Sequence, residues 1–270
     1  MSQNRALVGL TVAATGAVLT LGAGPAMADN HVATVSVLHA VPDTPVDVYA
    51  NGEELLPDFQ PGTLTDPLEL PAGSYDIQVF PAGADPEADD PAIEGSVDVP
   101  GGANATLVAH LAEDGTPTLT PFVNDTSAVE AGQARVTVRH TAAAPAVDVR
   151  AGGEPVIEGL TNPDEETLTV PAGTISADVV VAGTDTVAIG PADLELAEGS
   201  NTIVYAWGNE EAGYELATQS ISASSAPSSV DAGTAGLVDD GGLPAGVIAL
   251  SLAGLVGAGI AGRRLVTSRG

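Results

Sequence analysis

The stretch His39-Ala-Val-Pro-Asp-Thr-Pro-Val-Asp-Val-Tyr-Ala-Asn-Gly52 returns later in the chain as His140-Thr-Ala-Ala-Ala-Pro-Ala-Val-Asp-Val-Arg-Ala-Gly-Gly153. Each copy begins at the end of a strand-like segment, crosses a Pro-containing connection, enters a Val-Asp-Val strand and leaves through a Gly turn. Val46-Asp47-Val48-Tyr49 alternates with period two, the pattern of a strand with one buried face. Asn51-Gly52 follows with residues that tolerate positive φ. The recurrence predicts a duplicated domain of roughly ninety residues, the size of a small sandwich.

Working outward, the flanking segments recur as well. Val35 and Val37 lead into the first copy, as Val136 and Val138 lead into the second. Pro71-Ala72-Gly73 and Pro171-Ala172-Gly173 each stand between a Leu-containing strand and an alternating one. Tyr75-Asp76-Ile77-Gln78-Val79-Phe80 shows the clearest alternation, and Val97-Asp98-Val99, Thr106 to Leu111 and Thr118 to Phe122 complete the first set. Leu194-Glu195-Leu196 and Thr202-Ile203-Val204-Tyr205 are their counterparts. Neither half shows the 3.6-residue apolar period of a helix. Short strands with Gly and Pro turns predict an all-β chain: two tandem immunoglobulin-like antiparallel β-sandwich domains, at 32–123 and 134–221, joined by a linker at 124–133.

The ends read differently. Residues 1–28 have the form of a secretory signal peptide, with Arg5, an apolar stretch and Ala26-Met27-Ala28 as a cleavage site. Residues 222–242 read as a flexible stalk rich in Ser, Ala, Gly and Asp. Residues 243–262 carry no charge over a length that just spans a bilayer, and a basic tail at 263–270 holds Arg263, Arg264 and Arg269. The expectation is an exported protein on the outer face of the cell membrane, single-pass, with a cytoplasmic C-terminus. Stalk, Leu243-Pro244, apolar span and basic tail also resemble a cell-wall sorting signal. That signal's Thr is absent from Leu243-Pro244-Ala245-Gly246, so a membrane anchor is favoured over wall attachment.

The composition narrows function. The 270 residues hold 36 acids and seven Arg, with a net charge of −29. Between Asp29 and Asp240, only Arg135, Arg139 and Arg150 oppose the acids. Such a field repels nucleic acid and anionic lipid. There is no Cys, which excludes disulfides, thiol catalysis and thiolate metal sites.

The repeated polar residues are the first candidates for chemistry. His39 and His140 occupy equivalent places, but a metal site needs three or four converging ligands and neither phrase offers a second one. Each His is expected to hydrogen-bond the crossing loop of its own copy. His110 and His31 have no counterparts. Asp47 and Asp148, flanked by inward valines, are expected to face solvent as edge-strand or turn-capping residues. Asp85 to Asp90 and Asn162 to Glu166 read as solvated acidic loops, because calcium takes six to eight oxygens and these lack the spacing to supply them. Asn104-Ala-Thr106 and Asn124-Asp-Thr126 fit the glycosylation pattern. No nucleophile elbow, Ser-x-x-Lys, His-Glu-x-x-His or phosphate loop is present. No catalytic, cofactor-binding or metal residue is therefore assigned, and no cofactor is expected.

His39, Ala40, Pro42, Pro45, Val46, Asp47, Val48, Tyr49 and Gly52, followed by Leu70 to Tyr75, resemble the bacterial DUF 4397 family, a domain of unknown function in secreted and surface proteins. The resemblance implies a location more than an activity. It is weaker in the second copy, where Ala143, Ala146, Arg150 and Ile175 replace Pro42, Pro45, Tyr49 and Tyr75. The expected function is non-enzymatic display of two sandwiches at the cell surface, for adhesion or as a structural part of the envelope. The expected partner is an extracellular protein or envelope glycan. Alternatives are an envelope enzyme and a calcium-stabilised adhesion module.

Overall fold

The structure, a computed structural model, describes residues 32–223. The expected signal peptide (1–28), membrane span (243–262) and basic tail (263–270) lie outside these residues, as does the expected stalk from residue 224 on, while Ser222 ends a strand and Ala223 is buried. Among the described residues every element is a strand, and no helix is long and apolar enough to cross a membrane.

The first eight strands are β1 (Val32–Ala40), β2 (Val46–Ala50), β3 (Glu53–Phe59), β4 (Leu68–Pro71), β5 (Gly73–Pro81), β6 (Ile93–Val99), β7 (Asn104–Leu111) and β8 (Pro117–Val123). They form two four-stranded sheets, ordered β4-β1-β7-β8 and β3-β2-β5-β6. The next eight repeat the plan: β9 (Gln133–His140), β10 (Val147–Ala151), β11 (Glu154–Leu160), β12 (Glu165–Pro171), β13 (Gly173–Val181), β14 (Val187–Leu196), β15 (Ser200–Asn209) and β16 (Gly213–Ser222). Their sheets run β12-β9-β15-β16 and β11-β10-β13-β14.

Two features differ from the expected immunoglobulin-like antiparallel arrangement. β1 pairs with β7 in parallel, and β9 with β15 likewise. In the immunoglobulin order the first two strands are neighbours, whereas here β1 lies between β4 and β7, and β2 is in the other sheet. The physical reason is that period-two patterning sets which face of a strand is buried but not which strand it pairs with. Pro71-Ala72-Gly73 stands between a Leu-containing strand and an alternating one, as expected, and its bend carries the chain from one sheet to the other.

Within each copy the two sheets close on an apolar core. Val37, Leu107 and Ala109 of one sheet meet Val46, Val48, Phe59, Ile77, Val79 and Ile93 of the other. In the second copy Val136 and Val138 meet Val147, Val149, Ile157, Leu160 and Val179. Prolines keep to places where a missing N–H is tolerated: Pro57, Pro117, Pro121, Pro155 and Pro191 all lie on edge strands.

A third cluster joins the copies. Leu38, Ala40, Val108 and Phe122 project from the outer face of the β4-β1-β7-β8 sheet. They pack against Ile203, Tyr205 and Trp207 of β15. Thus β1 and β15 are buried on both faces, and from Val35 to Ala40 every residue is buried. The described residues form four sheet layers in which the two middle sheets face one another. Trp207 packs over Gly62, where a Cβ would stand 2.9 Å from the indole Cζ2, and Gly62 adopts φ +75°. Glycine is required there for both reasons.

Candidate functional site

The Asp of each repeated phrase has a defined task. β2 is an interior strand of its sheet, so Asp47 is not the edge residue its pattern allowed. From the solvent face its carboxylate reaches to both sides. Oδ1 accepts from Asp58 N–H at 2.7 Å and Oδ2 from Gly83 N–H at 2.9 Å. Asp148 repeats this with Gly159 N–H at 2.7 Å and Gly183 N–H at 2.8 Å. The donors sit at positive φ: Asp58 at 47°, Gly83 at 81°, Gly159 at 68° and Gly183 at 71°. Each Asp ties the distortion in the edge strand that follows it, β3 or β11, to the loop leaving its other neighbour, β5 or β13. The two backbone donors hold the Asp148 carboxyl below its ordinary pKa.

The three described histidines have no free ring nitrogen. His39 Nε2–H donates to the Thr44 carbonyl at 2.8 Å, and its Nδ1 accepts from Val41 N–H at 3.5 Å. His140 does the same with Pro145 at 3.0 Å and Ala142 at 3.4 Å. Both bond the crossing loop of their own copy, as the sequence implied. His110 donates from Nδ1 to the Leu111 carbonyl at 3.0 Å, and Thr120 Oγ1 lies 2.8 Å from its Nε2. Burial pushes all three pKa values down, because it disfavours the charged ring. Strand alternation also separates them. His39 shares the inward face of β1 with Val37, whereas His110 lies on the opposite face of the sheet with Val108. Among the described residues no cluster of His, Asp and Glu could hold a metal ion.

The acidic loops fare differently. Asp85 to Asp90 is satisfied by its own backbone: Asp85 Oδ1 accepts from Glu87 N–H, and Asp89 Oδ2 from Asp85 N–H. Asn162 to Glu166 is not simply a solvated loop. Asn162 Nδ2 donates to the carbonyls of Leu111 and Ala142, bridging the two copies. Glu165 receives Arg139 Nε at 2.7 Å. Asn124 is buried and its amide nitrogen donates to Asn104 Oδ1 at 2.7 Å and to Thr106 Oγ1 at 3.0 Å, so the acceptor nitrogen of the second glycosylation motif is engaged by residues of the first.

Sequence reasoning left that network out. Arg139 is buried between the copies, with its guanidinium 4.4 Å from the Phe122 ring centroid. It donates to Tyr205 Oη at 2.8 Å. Gln219 Oε1 accepts from Tyr205 at 2.7 Å and from Thr106 at 2.9 Å, while its Nε2 donates to Ser36 at 3.3 Å. A buried network satisfied in this way fixes one register between the two middle sheets. The signal was present in the run Ile203-Val204-Tyr205-Ala206-Trp207, which is apolar on both faces.

Of the concave features among the described residues, the larger apolar one lies inside the first copy. A cavity of about 320 Å³ lies between the two sheets of the first copy. Val35, Leu70, Tyr75, Ile77, Val97 and Leu107 line its interior. Asn51, Glu53, Glu54 and Asp98, all exposed, stand at its mouth. The void divides the core of the first copy: Ala33, Val35 and Val99 cluster apart from the main group, with Tyr75 and Val97 touching both. The second copy has one continuous core, and a void in it measures about 30 Å³. Left dry and closed, an apolar void of the larger size would cost on the order of 7 kcal/mol, as much as a small domain's whole stability.

Residues 33–150 match the family described as Domain of unknown function (DUF4397). That span covers β1 to β8 and runs through β9 to Arg150, the Arg of the second phrase. The DUF4397 match thus includes the Asp47 bridge, the whole cavity and both phrase histidines. No curated protein matches the chain. Among solved structures, the Bacillus anthracis TIE protein aligns at 11% identity over 64% of this chain and 33% of that chain, with a TM-score of 0.21. The chain spans about a third of that protein's length, and a likeness so slight carries neither fold nor function.

Proposed function

We propose that this is a non-enzymatic, exported surface protein, tethered to the outer face of the membrane by residues 243–262. Its two sandwiches act as one rigid binding or spacer module for an extracellular protein or envelope glycan. The observation that carries the non-enzymatic part is the full engagement of the polar groups in both repeated phrases. His39, His140, Asp47 and Asp148 each bond the backbone of their own copy. A general base or metal ligand needs a lone pair aimed into a cleft beside its partners, whereas these side chains are turned to the backbone of their own copy. The DUF4397 match supports a surface setting only through the resemblance already described.

The display reading predicts that external protease, added to intact cells, degrades the two sandwiches while leaving a short membrane-retained fragment. Carbonate-washed membranes should keep that fragment. A full-length chain that is protected in intact cells, or that fractionates with purified wall, would refute the membrane-tethered form.

A further inference from the structure

We infer that the cavity of the first sandwich is a binding site for a slender apolar molecule of about a dozen non-hydrogen atoms, whose polar end is not anionic. The inference is independent of where the chain resides.

The size follows from comparison. A dry cavity of about 150 Å³ accommodates benzene, so about 320 Å³ accommodates roughly twice that ligand. It falls at the lower end of the range for small-molecule pockets, which are mostly apolar with a few polar groups at fixed points. The interior has that character: the inward face of β1 and β7 supplies Val35 and Leu107, and the opposite sheet supplies Tyr75, Ile77 and Val97. Tyr75 Oη already donates to the Pro71 carbonyl at 2.8 Å, so the phenol presents its ring to the void and not a free hydroxyl.

The mouth sets the head group. Glu53, Glu54 and Asp98 stand there, and no Arg or Lys lines the cavity. A carboxylate or phosphate entering tail-first would end beside these acids, in a segment whose only cations are Arg135, Arg139 and Arg150. Arg135 and Arg139 are buried elsewhere, and Arg150 is paired with Asp178. An alcohol, amide or amine meets no such repulsion.

Duplication offers an internal comparison. At the equivalent register positions Val97, Val99 and Ala105 become Leu194, Leu196 and Thr202, and the second core is continuous. The same strand plan therefore packs closed in one copy and stays open in the other.

The test uses the full-length chain and ten-carbon photoaffinity probes bearing a mid-chain diazirine, with an alcohol, amine or carboxylate head. Labelled peptides are mapped by mass spectrometry. The alcohol and amine should label peptides containing Leu70–Tyr75 and Val97–Ala105, and excess unlabelled 1-decanol should compete. The carboxylate probe should label at least about tenfold less. Ala105→Phe and Val97→Phe, which fill the void, should each reduce labelling about tenfold while melting no lower than the parent. Labelling confined to other regions, equal labelling by the carboxylate, or labelling undiminished in both filled variants would overturn the assignment. If both variants fail to fold, failure of 1-decanol to compete on the parent chain overturns it by itself.

Discussion

At the scale of single residues, the repeated Asp shows how a polar side chain can be kept for purely structural work. Asp47 satisfies two backbone donors that a Val-Asp-Val strand could not otherwise reach, both at positive φ. Asp47→Ala should therefore cost about 2 kcal/mol in urea unfolding, the scale of orphaning hydrogen-bond donors to a charged acceptor. A loss below a few tenths would mean that water replaces the carboxylate. For Asp148 the sign with pH can be stated. Its folded pKa is depressed by the donors from Gly159 and Gly183, so its contribution is present above the unfolded value near 3.9 and is lost as pH falls through the folded one. Asp148→Asn should melt below the parent at pH 7, and the gap should narrow as pH falls below about 4. A gap that is constant with pH would show that the charge plays no part. The histidines follow the same economy of use, with each ring nitrogen facing a local partner and the pKa lowered by burial.

At the scale of elements, burial on one face or two separates what the sequence revealed from what it did not. β2, β5, β10 and β13 were legible because one face is apolar and the other polar. Their Val-Asp-Val and Tyr75-to-Phe80 patterns survive intact. β3 and β11 were missed, because Glu53-Glu54-Leu55-Leu56-Pro57 does not alternate and contains Pro, which the edge of the sheet tolerates. The parallel β1–β7 and β9–β15 pairs join residues far apart in sequence, and no local pattern encodes them. The cavity was also illegible, since a void depends on the spacing between sheets and not on the identity of any one residue. Burial on two faces was encoded, however, and it yields a prediction. Leu38 is fully buried on the outer face of β1, whereas Val32, on the same strand, is 46% exposed. Leu38→Asn should cost about 3 kcal/mol, combining lost packing with an unpaired amide, and Val32→Asn should stay within about 0.5 kcal/mol. The comparison is made by chemical denaturation of the two variants side by side. Equal effects would mean that the outer face of β1 is not an interface.

At the scale of the molecule, the two copies are joined by more than a connecting segment, and this has a thermodynamic consequence. Arg139, Gln219 and Asn162 of the second copy bond or stack on Phe122, Thr106, Ser36 and Leu111 of the first. Trp207, the chain's single tryptophan, packs on Gly62 across the same boundary. Losing this contact exposes the apolar faces of two sheets, so unfolding either copy alone forfeits the stability the other gains from it. The copies should therefore unfold together. Trp207 emission should shift to the red over the same urea range in which far-ultraviolet circular dichroism is lost, with a slope reflecting the surface of both sandwiches. Arg139→Ala removes the guanidinium from Phe122 and leaves Tyr205 and Glu165 without their donor. Glu165 is partly solvated, so the loss should be about 2 kcal/mol, below the range for breaking a fully buried pair. It should also draw the two probes apart, with the fluorescence change preceding the loss of circular dichroism as the copies separate before they unfold. Non-coincident transitions in the parent chain would show that the copies are independent beads, and the rigid-module reading would fall with that result.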